Sequence, residues 1–248
     1  MDILIPVYID HQDRLRNLNI VLKYLKKLNY GKVFVKEFFT ENKKVKIDND
    51  KVVYISEKLE TPYFNKMKCF NDLAKKSNSD IIALYDVDVL VSPSKLCEAM
   101  DLINCNKADV VYPYNGCFYN IPEYLVSALD QDLNTSISLN DCELFNKGSW
   151  GGISIFNKNV FFEGGGCNEN FKNVGYDDDE LHQRFEILGY RVKRTDGILL
   201  HMNHFRGDTS YNYSKYVQSN ANEVVRITGM KRDQLEKEIK TWSWYGSV

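Results

Sequence analysis

Through the first 114 residues, short apolar runs alternate with stretches whose hydrophobic residues recur at helical spacing, an order that few architectures accept. ILIPVY (3–8) is an apolar run of strand length closed by Asp10, and Leu15, Leu18, Leu22, Leu25 and Leu28 then follow at the spacing of one helix face. VFVKEFF and VVYIS read as strands, 63–78 as a helix, 81–85 as a strand, 93–104 as a helix opened by Pro93, and DVVYPY as another strand. Strands alternating with helices predict an α/β sheet with short connections. From 115 to 150 the signal weakens to a single helix at 122–130 among polar residues, which reads as an insertion or a movable wall of a site. Residues 151–162 read as a strand running into a short helix, and GGG (164–166) reads as a turn. The helix DDELHQRFEILG then carries Leu181, Phe185 and Leu188 on one face before Gly189 ends it. Strands YRVKR and GILLHMNH follow, then a polar and aromatic tail with a helix at about 231–240.

The size suits one large domain: 248 residues, 44% of them hydrophobic and 13% aromatic, can bury a sizeable core. A formal charge of -2 gives none of the basic footprint of a nucleic-acid binder. Cys69, Cys97, Cys105, Cys117, Cys142 and Cys167 form no CxxC pair and no Cys/His ladder, so neither a zinc ribbon nor a disulfide framework is expected. The opening MDILIPVYID enters a strand directly, and no segment has the length and apolarity of a membrane span. These features predict a cytoplasmic protein without a nucleic-acid partner.

One apolar run ends in charge. DIIALYDVDVLVSP (80–93) sets Asp86 and Asp88 between apolar flanks. In a strand, residues two apart project from one face, so both carboxylates would point together from the strand's carboxyl end, where open α/β sheets bind ligands. Two hard oxygen ligands side by side repel unless a cation sits between them, and Mg²⁺ or Mn²⁺ bridging to phosphate oxygens suits such a pair. The plainer reading is a pair of solvated or capping carboxylates ahead of Ser92 and Pro93. A second cluster, Tyr176-Asp177-Asp178-Asp179-Glu180, opens a predicted helix. Acids there satisfy orphan amides and the helix dipole. Four in a row exceed that need, and a crowded carboxylate can carry the raised pKa of a general base. His201-Met202-Asn203-His204 holds two of the protein's four histidines. Beside an acidic metal pair, either can serve as an imidazole ligand.

Taken in order, six segments resemble a GT-A fold glycosyltransferase of the family 2 type. They are IPVY, Phe64-Asn65-Lys66-Met67-Lys68, Asp86-Val87-Asp88, Trp150-Gly151-Gly152-Ile153-Ser154, the Asp-Asp-Asp-Glu-Leu helix start and the His-rich strand. The resemblance covers roughly residues 1–207 and is nearest to the carboxyl-terminal part of the β-1,4-galactosyltransferases and the bacterial chondroitin-polymerase-like enzymes. It implies a single GT-A domain over 1–248 with a Rossmann-like, mixed, mostly parallel sheet flanked by helices. Residues 1–114 would be its nucleotide-binding half, 115–207 its acceptor and catalytic half, and 208–248 a C-terminal lid and helix. Pro6, Val7 and Tyr8, with Asp10, fall at the nucleotide base and ribose, although the arginine-containing version of that motif is absent. Phe64, Asn65 and Lys66 match a Phe-Asn-Arg-type element that approaches the diphosphate. Asp86, Val87 and Asp88 fall on the Asp-x-Asp signature, in which the second aspartate binds the metal and the first touches ribose or metal. Trp150, Gly151, Gly152 and Tyr176 fall near the donor and acceptor sugars. Asp178 falls on the catalytic base and Asp177 on the family's Glu. His204, followed by Phe205 and Arg206, matches the metal-ligand histidine, with His201 at a second ligand position. Val174-Gly175-Tyr176 replaces the family's Trp-Gly-Gly, so the identity of donor sugar and acceptor does not carry over.

The implied reaction is an inverting transfer of a sugar of Gal, GalNAc, GlcNAc or Glc type from a UDP-sugar to a hydroxyl of a glycan or lipid-linked saccharide. Mn²⁺ or Mg²⁺, held by Asp88 and His204, would stabilise the leaving diphosphate while Asp178 takes the acceptor proton. No membrane span is implied, and peripheral membrane association is compatible with a lipid-linked acceptor. Trp150, Tyr176 and Tyr114 are available to stack on sugar or base faces. A nucleotidyltransferase could use a similar sheet and acidic pair, but it needs a Gly-rich basic loop after the first strand, and IPVYIDHQDR has no glycine. A non-catalytic sugar-nucleotide-binding protein would have no use for both acidic clusters.

Overall fold

The computed structural model describes residues 1–28, 30–41, 50–206 and 215–246. In chain order the elements begin with β1 (Asp2–Tyr8), α1 (Gln12–Lys26), β2 (Val33–Phe39), β3 (Val52–Lys58), α2 (Lys66–Lys76) and β4 (Ile81–Tyr85). Next come β5 (Val89–Val91), α3 (Pro93–Asn104), β6 (Val110–Tyr112), β7 (Phe118–Ile121), α4 (Glu123–Gln131) and β8 (Glu143–Asn146). The chain continues with β9 (Ile153–Asn157), α5 (Lys158–Glu163), α6 (Asp177–Ile187), β10 (Val192–Arg194), β11 (Leu199–Met202), α7 (Val217–Thr228) and α8 (Arg232–Ile239).

Seven strands make the main sheet in the order β10-β6-β9-β4-β1-β2-β3. Every neighbouring pair is parallel except those of β9, which runs antiparallel to both β4 and β6. The sheet is thus mixed and mostly parallel, as expected. Inner strand β1 is apolar and buried almost throughout because helices cover the sheet: Leu18 and Val21 of α1 and Phe70 and Leu73 of α2 join its core. Pro6 is tolerated there for a specific reason. Ile3 N–H donates towards β2, to Lys32 O, so alternation turns residue 6 towards β4, and the ladder to β4 stops at Leu4. A second sheet runs β5-β11-β7-β8. Strands β9 and β10, from the segment expected to form the catalytic half, lie in the main sheet, so the two halves share it.

Several boundaries differ from the sequence expectation. The helix predicted over 63–78 spans Lys66–Lys76, because the Asn65 side chain accepts from Lys68 N–H and caps it. The strand predicted as DVVYPY is only Val110–Tyr112. Asp86 and Asp88 are not two rungs on one strand face. They flank the turn where the chain leaves the main sheet for the second: Asp86 N–H donates to Gly152 O, and Asp88 O accepts from Met202 N–H, each at 2.8 Å. The stretch 115–150 contains β7 and β8 as well as the expected helix. His204 lies beyond the end of β11. In the tail, α7 went unpredicted, and 207–214, which include the start of the expected lid at 208, lie outside the described residues. Helices α7 and α8 build a small core of Ile227, Leu235, Ile239 and Trp242 with Leu188. Among the described residues, no helix is long and apolar enough to cross a membrane.

Candidate active site

β1 and β4 bring their carboxyl ends to one edge of the main sheet, and antiparallel β9 starts from that edge. Pro6-Val7-Tyr8, Asp86-Val87-Asp88 and Trp150-Gly151 therefore converge on an open cleft of about 340 Å³. Phe64 and Lys66, the turn and helix start at 174–179, and His201 and His204 complete its walls.

On one side the ligating atoms of Asp88, His201 and His204 all lie within 4.8 Å of one another. His204 Nε2 is 3.1 Å and His201 Nε2 3.8 Å from Asp88 Oδ2. The other ring nitrogens are engaged elsewhere: His201 Nδ1 lies 2.8 Å from Asn120 Oδ1, and His204 Nδ1 lies 2.6 Å from Phe205 O. Burial pushes His201 down to about 4, so its imidazole is neutral near pH 7, the form that ligates metals. Burial alone would raise the Asp88 carboxyl. The hydrogen bond from His204 and the electrostatic pull of the two neighbouring histidines and Arg14 outweigh it and hold Asp88 well below the usual carboxylate range. One carboxylate and two imidazoles form a donor set that suits a first-row divalent cation. Asp86 is outside this group and lies 3.7 Å from Lys66 Nζ.

On the other side, the chain enters α6 through a turn with three left-handed residues, Asn173 (φ 57°), Gly175 (φ 119°) and Tyr176 (φ 65°). Such backbone persists in non-glycine residues only where surroundings enforce it. Here Asn173 Oδ1 accepts from Phe64 N–H at 2.9 Å, and Asn220 of α7 donates to Lys172 O and Gly175 O at 3.0 and 3.2 Å. Asp177 is committed to this frame. Its Oδ1 accepts from Gly175 N–H, and its Oδ2 pairs with Lys66 Nζ, both at 2.8 Å.

Asp178, by contrast, opens to the cleft with a third of its side chain exposed and its Oδ2 3.6 Å from Lys66. It sits so close to Gly151 that a Cβ there would fall 2.6 Å from Asp178 Oδ2. Loss of water around the carboxyl, together with the neighbouring Asp177, Asp86 and Asp179, overcomes the pull of Lys66 and raises Asp178 to about 8. Burial likewise raises Asp86 to about 6, against the same lysine. Lys66 itself would be pushed down by burial, yet Asp177, Asp178 and Asp86 hold its ammonium well above the ordinary value.

The wall between these sides is braced from behind. Trp150 stacks on His182 with ring centroids 3.2 Å apart, and the Arg194 guanidinium lies 3.4 Å from the Trp150 ring centre. Tyr114 donates to Ser149 O and Gly151 O; it is fully buried and shapes this wall instead of stacking on a ligand.

Three expected site residues do not line the cleft. Asp10 pairs with Arg14 Nε at 3.0 Å. Asn65 caps α2 and donates to Glu169 O. Gly152, at φ 85°, lies behind the wall, where a Cβ would meet Leu199 at 2.6 Å. Arg14, Phe118 and Phe145 are among the lining residues that escaped the sequence reading, and Arg206, read there only as a neighbour of His204, lines the cleft as well. Arg14 reaches the cleft from the first turn of α1, and its i,i+4 spacing from Asp10 was the available signal. Phe145 comes from the short edge strand β8, with the Arg206 guanidinium 5.3 Å from its ring centre.

Residues 131–208 match the family described as the N-terminal domain of galactosyltransferase, a stretch that includes Trp150, Asp178, His201 and His204. No curated protein matches the chain by sequence. Among solved structures, a point mutant of Drosophila β-1,4-galactosyltransferase 7 in complex with manganese, UDP-Gal and xylobiose is 16% identical. It superposes with a TM-score of 0.52 over 82% of this chain and 71% of that one. S. aureus TarS 1–349 in complex with UDP-GlcNAc is 12% identical, with a TM-score of 0.56 over 96% of this chain and 69% of that one. The chain has the GT-A glycosyltransferase fold.

Proposed function

We propose that this GT-A glycosyltransferase is metal-dependent and inverting, and moves a hexose or N-acetylhexosamine from a UDP-sugar to a hydroxyl of a glycan or lipid-linked saccharide. The observation that carries this reading is one cleft holding two oppositely prepared carboxylates: Asp88, ionised among imidazoles, and Asp178, raised to about 8. Asp88, His201 and His204 would hold the divalent ion. Mn²⁺ fits this donor set and accompanies UDP-Gal in the Drosophila structure. When bound, such an ion supplies Lewis-acid stabilisation of the leaving diphosphate.

The chain's own residues do the rest. Pro6, Val7, Tyr8 and Phe64 wall the nucleoside end, while Asp86 offers a carboxylate to the ribose. Lys66 and Arg14 add fixed positive charge beside the diphosphate. Asp178 removes the proton of the acceptor hydroxyl as it attacks the anomeric carbon, and a pKa near the working pH suits that task. Asp177 holds Lys66 beside this base. One base and one displacement invert the anomeric centre.

A panel of UDP-sugars with Mn²⁺ and candidate saccharide acceptors, scored by UDP release, tests the reading. Release with one donor, abolished by chelator, is expected. No release from any donor, together with no greater thermal stabilisation by UDP plus Mn²⁺ than by either alone, would contradict it.

A further inference from the structure

We infer that Asn120 is a positioning residue for the metal group: its Oδ1 accepts the hydrogen bond of His201 Nδ1–H and so fixes the imidazole in the tautomer whose Nε2 lone pair faces Asp88. This rests on the metal-dependent reading above. β7 and β11 are parallel neighbours, and their register sets Asn120 directly beside His201. Both residues are buried, and the Oδ1–Nδ1 distance is 2.8 Å. A neutral imidazole carries a single N–H. Placed on Nε2, that hydrogen would occupy the position from which the ring must ligate. Placed on Nδ1, it leaves Nε2 free, 3.8 Å from Asp88 Oδ2. An amide oxygen only accepts, so it selects the second arrangement. The two phenyl neighbours, Phe118 with its centroid 5.3 Å from the imidazole and Phe145 at 6.4 Å, offer no acceptor.

The chemistry of the partner has a consequence for affinity. Outer carboxylates and carbonyls orient metal-bound histidines and raise their basicity. A neutral amide orients as well as a carboxylate but polarises the ring less. His201 is therefore a correctly aimed but moderate ligand, suited to a cation that is held firmly only when diphosphate oxygens complete its shell.

Two measurements on the full chain test this. ¹⁵N NMR of the imidazoles without metal should show His201 as the Nδ1–H tautomer in the wild type, and as a mixture in Asn120→Leu. An Nε2–H tautomer in the wild type would overturn the inference. Mn²⁺ titration followed by electron paramagnetic resonance, with saturating UDP, should show affinity reduced about 10- to 100-fold in Asn120→Leu. In Asn120→Asp it should be tighter than in the wild type. If Asn120→Leu fails to fold, the Asn120→Asp result decides: affinity equal to or weaker than wild type overturns the inference. Wild type binding Mn²⁺ while both variants match it sinks this inference alone. A wild type that binds no Mn²⁺, with or without UDP, sinks the metal reading and this inference with it.

Discussion

Asp88 sits in a turn between two sheets, with His204 Nε2 at 3.1 Å, His201 and Arg14 each at 3.8 Å, and its carboxyl is held ionised. Asp178 sits in the first turn of α6, beside three other acids, and the cation beside it, Lys66, is already paired at 2.8 Å with Asp177. Both carboxylates face the same cleft, and burial pushes both upward. The sign of the neighbouring charge decides which stays a permanent anion and which can exchange a proton. Environment alone thus prepares two side chains of one type for different tasks, the pattern by which acid and base assignments separate in other enzymes.

Breaking each side separately should give different signatures. Asp178→Asn removes the proposed base and leaves Asp88, His201 and His204 intact, so kcat should fall by about 10²- to 10⁴-fold while the Kd for UDP with Mn²⁺ stays near wild type. Steady-state kinetics paired with calorimetry checks this. Asp88→Asn should do the reverse, weakening Mn²⁺-dependent UDP binding by about 100-fold, on the scale known for disrupted metal sites. Binding that keeps its metal dependence would remove Asp88 from the metal group. Gly151→Ala probes the base without touching its chemistry. The new Cβ would lie 2.6 Å from Asp178 Oδ2 and must displace it, so kcat should drop by up to about 100-fold with UDP binding retained.

The smallest effect is the most diagnostic of environment. As the proposed base, Asp178 would work only as the carboxylate, and its pKa is raised to about 8. kcat/KM should therefore be level above that pH and fall about tenfold per unit below it. Lys66 pulls this pKa down, so Lys66→Met should shift the acid limb upward. A limb in the ordinary carboxylate range near 4 would mean that the cleft does not desolvate Asp178.

Much of this contrast is legible in the sequence, for uneven reasons. The long apolar runs of β1, β2 and β4 reveal an α/β sheet because inner parallel strands are buried on both faces. The Asp-Val-Asp signal was equally plain, but its geometry was misread. Strand alternation put both carboxylates on one face, whereas the chain changes sheets between Tyr85 and Val89, and the two acids part company. β5, β7 and β8, at three or four residues, are too short to show a period. α7 hid because its buried residues are Asn220 and Ile227, and the asparagine serves the turn before α6 instead of an apolar core. Both histidines were visible in sequence. That they act together depends on β11 ending at Met202, which lets the chain fold His204 back towards Asp88. Arg14 was hidden for a similar reason, since side-chain reach, not position in a loop, brings it to the cleft.

The central claim is that Asp88 serves the metal and Asp178 the proton. Calorimetric titration of UDP into Asp88→Asn and Asp178→Asn, each with and without Mn²⁺, tests it most directly. The account predicts that Asp178→Asn retains the full Mn²⁺-dependent gain in UDP affinity and that Asp88→Asn loses it. Retention of that gain by Asp88→Asn, or its equal loss in both variants, would contradict the division of labour.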